Sequence, residues 1–103
     1  MSKFQSQISD IDLRMLRIYK TVVECGGFSA AEVELNISRA AISIAMADLE
    51  VRLGFRLCQR GRSGFSLTNE GSQVYEYTLQ LLSSLEDFRT QINALHEQLK
   101  GEL

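Results

Sequence analysis

The stretch FSAAEVELNISRAAISIAMADLEVRLG, Phe28 to Gly54, decides the fold. It opens on a short helix-forming run, breaks at Asn36-Ile37-Ser38, and resumes at Arg39 as a longer run. In that longer run Ile42, Met46, Leu49 and Leu53 fall four, three and four residues apart, the spacing of one apolar helix face. Gly54 is the expected stop. In the shorter run Ser29-Ala30-Ala31-Glu32 has the spacing of a capping box, with Ser29 accepting from the Glu32 amide and the Glu32 carboxylate reaching back to the Ser29 amide. Phe28 and Val33 stand at hydrophobic-staple positions around it, and Ser38 is placed to cap the longer helix. A short helix, a three-residue turn and a longer helix with a small, polar first turn predict a helix-turn-helix, whose second helix enters a DNA major groove. That helix leaves Arg39, Ala40, Ser43, Ile44 and Ala47 on its outer side. Small residues there permit close approach, Arg39 and Ser43 can hydrogen-bond base edges or phosphates, and Ile44 can lie on a thymine methyl. Ser29 and Ser38, each expected at a helix start, can set hydroxyls and amides against phosphates.

Working outward, Ser9 or Asp10 is placed to start a first helix. Its apolar face is expected at Leu13, Leu16, Tyr19 or Lys20, and Val23, and Gly26-Gly27 should end it. Beyond Gly54, Leu57-Cys58 leads into Arg60-Gly61-Arg62-Ser63-Gly64, and Phe65-Ser66-Leu67 resumes a strand-like alternation. This reads as a two-stranded hairpin, a wing, with Arg60 and Arg62 near its tip to meet a phosphate backbone or minor groove. Taken alone, the tip fits a solvated turn equally well, and Arg56 fits an ion pair as well as a DNA contact. Phe28, Leu35, Met46, Leu49 and Leu53 are assigned to the core.

Thr68 is expected to cap a final helix. Along it Val74, Thr78, Leu81, Leu85, Phe88, Ile92, Leu95 and Leu99 alternate four and three apart, a heptad seam. Tyr75, Leu79 and Leu82 make a second stripe on its first half. One stripe can face the protein's own core and the other a second chain, so a dimer interface is expected at Leu81, Leu85, Phe88, Ile92, Leu95 and Leu99. A helix of about thirty residues extends about 45 Å, farther than so small a domain covers, although folding back on its own domain is the alternative.

A chain of 103 residues, 45% hydrophobic, holds one small domain and an extended element: a mainly α fold, with residues 1–67 as the domain and 68–103 as the helix. There is no apolar run long enough for a membrane span, and Met1 to Ser9 lacks the apolar middle of a secretion signal, so a soluble, intracellular protein is expected. Cys25 and Cys58 read as reduced thiols rather than a disulfide. A lone His96, with no cysteine pair at metal spacing, leaves nothing for zinc, and no cofactor is expected. The net charge of −2 is unevenly divided. Asn36 to Ser66 carries five arginines against Asp48 and Glu50, a net +3, whereas Leu67 onward carries −4. All the basic residues of the middle are arginines, suited to phosphates and guanine edges, and the acidic helix must point away from DNA. The rival class is a protein-interaction module whose long helix forms a coiled coil. An enzyme has less to build on, because no nucleophile has an evident base.

From Leu13 to Leu82 the sequence resembles the N-terminal domain of LysR-type transcriptional regulators. Leu13, Leu16, Tyr19 and Val22 match the first helix, and Gly26-Gly27-Phe28-Ser29 the junction after it. Ala31 and Leu35 match the second helix, and Ser38, Ala41, Ser43, Leu49-Glu50, Leu53-Gly54 and Leu57 the recognition helix and its exit. Arg60, Leu67-Thr68 and Gly71 match the wing and the start of the linker helix. The resemblance implies a winged helix-turn-helix that binds double-stranded DNA at an interrupted inverted repeat, as a homodimer, or a tetramer at full length. It implies antiparallel pairing of linker helices, a cytoplasmic, nucleoid-associated bacterial protein, and a small-molecule effector sensed only through a larger domain beyond the linker. The chain stops at Leu103, where that domain begins in the family, so a DNA-binding fragment or a naturally short protein is expected. Four positions depart from the pattern. Arg39 stands for a usual glutamine, Ala40 for proline or serine, Glu32 for alanine, and Cys58 for phenylalanine. Specificity therefore does not transfer from typical members, and Cys58 should leave apolar volume beneath the wing for Phe65 to fill in part.

Overall fold

The computed structural model describes residues 7–61 and 64–101. Its elements follow as α1 Asp10–Cys25, α2 Phe28–Leu35, α3 Arg39–Leu53, β1 Cys58–Gly61, β2 Gly64–Leu67 and α4 Asn69–Gly101. Three short helices, a two-stranded antiparallel wing and one long helix are the winged helix-turn-helix expected from the sequence.

A capping box starts α1, and it belongs to Ser9 and Asp12. The Asp12 amide donates to Ser9 Oγ at 3.3 Å, and the Ser9 amide donates to Asp12 Oδ2 at 2.9 Å. The buried face of α1 carries Asp12, Met15, Leu16, Ile18, Tyr19 and Val22, whereas Leu13, Lys20 and Val23 are only half-buried. The expected stripe was thus rotated. It assumed one buried side, but α1 is central and packs against α2, α3 and α4 alike.

The expected capping box on α2 does not form. Gly26, at φ 84°, closes α1, and Gly27, at φ 154°, turns the chain into helix at Phe28. That is earlier than a Ser29 cap allows, so Ser29 lies inside the first turn and α2 has no side-chain cap. The staple fails with it, because Val33 is 86% exposed while Phe28 is buried. Glu32 instead accepts from the Arg39 amide at 2.5 Å, bracing the start of the next helix. Asn36, in the left-handed region at φ 57°, ends α2. Ser38 caps α3 as expected, its Oγ accepting from the Ala41 amide at 3.1 Å, and Gly54 ends that helix at φ 90°.

The core gathers Leu16, Ile18, Tyr19 and Val22 of α1, Phe28 and Ala31 of α2, Ile42, Met46 and Leu49 of α3, and Leu57 before the wing. Leu35 and Leu53 pack half-buried against it. Burying each such apolar side chain stabilises the fold by about 1.5–3 kcal/mol, so this cluster dominates cohesion. In the wing Cys58 pairs with Leu67, Gln59 with Ser66, Arg60 with Phe65 and Gly61 with Gly64. Phe65 sets its ring 6.3 Å from that of Phe28, inclined by 59°. A cleft of about 160 Å³ remains there. Cys58 is buried and Cys25 half-buried.

Asp12 also ties the first helix to the third. Arg52 Nε donates to Asp12 Oδ1 at 2.7 Å, and Arg52 Nη2 reaches Asp12 Oδ2, a bidentate pair in which Asp12 is 1% and Arg52 29% exposed. The Arg52 hydrogen bond, opposed by burial and helped by the Ser9 amide, lowers the Asp12 carboxyl from its ordinary 3.8 to about 2. The depressed value means that the unfolded chain takes up the proton first as pH falls. The pair's contribution is complete above pH 3.8 and disappears as pH drops through about 2. Asp12→Asn should cost about 2–3 kcal/mol near neutrality, less than breaking a fully buried pair because Arg52 can rehydrate. In thermal melts the gap between parent and variant should close between pH 3.8 and about 2. A gap that stays constant down to that limit refutes the linkage.

Candidate nucleic-acid interface

Ser38, Arg39, Ala40, Ile44 and Ala47 are exposed and Ser43 is half-exposed; Ala40, Ile44 and Ala47 lie on the side of α3 that turns away from Ile42, Met46 and Leu49, Ser43 at the edge of that side, and Ser38 and Arg39 at the open start of the helix. Ile44 is 63% exposed, a branched apolar side chain that this chain's own packing leaves uncovered. The turn that presents this face is braced twice, by Ser38 on the Ala41 amide and by Glu32 on the Arg39 amide. Glu32 carries a negative charge where an anion would otherwise sit at the start of α3. The Ser38 hydroxyl accepts from the Ala41 amide and still has its own proton to donate. Ser29 is exposed in the first turn of α2, a different position from the cap expected of it.

The exit of α3 is held with equal care. Glu50 Oε2 accepts from the Leu57 amide at 2.7 Å, and the Thr68 amide donates to the Leu57 carbonyl at 3.0 Å. Thr68 Oγ1 accepts from the Gly71 amide at 2.9 Å and donates to the Arg56 carbonyl at 2.8 Å, so one side chain caps α4 and fastens the base of the wing. Arg60 takes its place in β1 opposite Phe65, and Arg62 lies outside the described residues. Arg56 Nε stands 3.9 Å from Glu50 Oε1, the ion-pair alternative in its weakest form. Glu32 and Glu50 were missed as braces. Glu32 was read as serving its own helix, and Glu50 had no visible signal, because its partner is an amide seven residues onward.

The expected seam on α4 divides along its length rather than between stripes. Val74, Thr78 and Leu81 of the seam, and Tyr75 of the second stripe, all pack on the protein's own domain. Tyr75 donates to Glu24 at 2.8 Å, holding α4 to α1. From Leu85 onward the seam is open, with Leu85, Phe88, Ile92, Leu95 and Leu99 all exposed. Leu81 thus sits at the boundary, half-buried beside Leu16, Leu53 and Val74. Among the described residues, no helix is long and apolar enough to cross a membrane, and no group of histidine, cysteine and carboxylate side chains is arranged to hold a metal ion.

A braced helix with an exposed outer face, beside a two-stranded antiparallel hairpin, defines the winged helix-turn-helix class of DNA-binding domains. The family model described as "Bacterial regulatory helix-turn-helix protein, lysR family" matches residues 13–72. The HTH-type transcriptional activator BauR of Pseudomonas aeruginosa is 63% identical over 97 residues, 94% of this chain and 32% of BauR. The chain thus spans about a third of that relative's length. Among solved structures, the BenM DNA-binding domain in complex with catB site 1 DNA is 33% identical and superposes with a TM-score of 0.76, covering 80% of this chain and 91% of that one. The CbnR DNA-binding domain bound to DNA is 29% identical, with a TM-score of 0.74 over 80% of this chain and 94% of that one. The chain belongs to the LysR family and is a LysR-type helix-turn-helix DNA-binding domain.

Proposed function

We propose that two copies of this chain pair through the open part of α4 and bind an interrupted inverted repeat in double-stranded DNA, as part of a cytoplasmic transcription regulator. In this reading residues 1–67 meet DNA and residues 68–103 join the copies, through Leu81 at the edge and Leu85, Phe88, Ile92, Leu95 and Leu99 beyond it. The observation that carries the DNA half is the exposed start and outer side of α3, where Arg39, Ala40, Ser43 and Ile44 take no part in the core. Arg39 and Ser43 meet base edges or phosphates, Ala40 and Ile44 lie against the bases, and Ser29 and Ser38 offer hydroxyls to the backbone. Arg60 and Arg62 supply the wing contacts. Antiparallel pairing of the helices, implied by the family resemblance, would set the two recognition helices toward successive major grooves.

Selection from random duplexes with the purified chain identifies the site, and Arg39→Ala then assigns the role of that residue. A base contact predicts a loss of about 1–3 kcal/mol, with preference relaxed at one position of each half-site. A uniform loss across sequences would make Arg39 a phosphate contact. An unchanged affinity removes it from the interface. If the parent chain shows no DNA affinity that falls steeply with salt, the DNA-binding reading itself fails.

A further inference from the structure

We propose that Arg56 is a further DNA contact, holding a backbone phosphate at the mouth of the cleft between α3 and the wing. The proposal rests on the DNA-binding reading above. Buried Met46 and Cys58 line the cleft together with Ser43, Ala47, Glu50 and the exposed Arg56. Ser43 and Ala47 belong to the outer face of α3, so Arg56 stands across the cleft from that face and on the same side of the molecule. It stands at the base of the wing, bordering the cleft that opens beside α3.

The main chain at Arg56 is anchored on both sides. Its carbonyl accepts from Thr68 Oγ1 at 2.8 Å, and the next amide, of Leu57, donates to Glu50 at 2.7 Å. The guanidinium is oriented but weakly held. Nε lies 3.9 Å from Glu50 Oε1, Nη2 donates to the Cys58 carbonyl over a long 3.4 Å, and the side chain is 74% exposed. Glu50's other oxygen already accepts from the Leu57 amide, so its carboxylate is not dedicated to Arg56. An exposed pair at this separation binds a guanidinium only feebly, whereas a phosphate offers charge-assisted hydrogen bonds and releases a counterion. Glu50 thus acts as a rest that points the arginine toward the cleft mouth until DNA arrives.

Arg56→Gln and Arg56→Lys test this against a duplex recovered by selection and a scrambled duplex, with affinity followed over a range of salt concentrations and thermal midpoints recorded. Arg56→Gln should make the slope of log affinity against log salt shallower by about 0.9 and weaken binding roughly eight-fold at about 0.1 M salt. Both duplexes should lose by the same factor, the thermal midpoint should not move, and Arg56→Lys should keep the parent slope. An unchanged slope in Arg56→Gln overturns the proposal, as does a loss confined to the selected duplex, which would make Arg56 a base reader. A lowered midpoint with an unchanged slope assigns Arg56 to the fold through Glu50 and also overturns it. Absence of salt-steep binding by the parent is a separate result, which removes the DNA-binding reading first.

Discussion

Gly71→Ala is expected to cost more than about 4 kcal/mol, in the exceptional range for a single substitution, and to release α4 from the domain. A Cβ at Gly71 would lie 1.9 Å from the Leu57 carbonyl oxygen, 2.9 Å from its carbon and 3.1 Å from the Tyr19 hydroxyl. Backbone cannot step aside as a side-chain tip can, so α4 must back away. Withdrawal breaks the hydrogen bond from the Tyr19 hydroxyl to the Gly71 carbonyl, 2.7 Å long and buried, and opens the packing of Thr78. Burial also raises the Tyr19 phenol above its ordinary value, which favours the neutral hydroxyl that donates to Gly71. Denaturant melts of parent and variant measure the loss, and near-equal midpoints would contradict the close approach. The glycine is needed here for space and not for a special backbone angle.

The second large effect concerns the open end of α4. The parent chain should sediment as a dimer, and with Leu85, Phe88 and Ile92 all changed to glutamine it should sediment as a monomer. Its thermal midpoint as a dilute monomer should be preserved, because these exposed side chains contribute nothing to the core of their own domain. Affinity for a duplex with two half-sites should then fall by about 10²–10⁴, the avidity gained when one bound domain tethers another. A single half-site should bind parent and variant alike. Should the variant sediment like its parent, the open seam is not the interface and the dimer half of the proposal is lost.

Periodic and capping signals act within a few residues, and those were legible. Ser38, Gly54 and Thr68 bound their helices where local hydrogen bonding demands, and the apolar spacing of Ile42, Met46 and Leu49 was enough to orient α3. Orienting α3 also exposed Ala40, Ser43 and Ile44, and the Ser38 cap put Arg39 at the open start of the helix, so the candidate interface followed from local signals. The capping box was misplaced because Ser29 and Glu32 satisfy the motif equally well on paper. The two glycines before them permit a direct entry into α2 that makes the serine cap unnecessary. The Ser9 box was hidden because its third-position partner is an aspartate rather than glutamate or glutamine.

What the sequence determined by itself was the order and type of the elements and the limits of all but the second helix, and through them a helix-turn-helix with a wing and a long amphipathic helix. Those depend on neighbours along the chain. Only the tertiary structure decided what α1 buries, why Gly71 admits no side chain, which carboxylates brace the turn and the wing, and where along α4 the seam passes from core to open surface. Each of these depends on residues many positions apart meeting in space, as Asp12 meets Arg52 and Tyr19 meets Gly71. No local periodicity encodes such meetings, because they are fixed only when the helices close on a shared core.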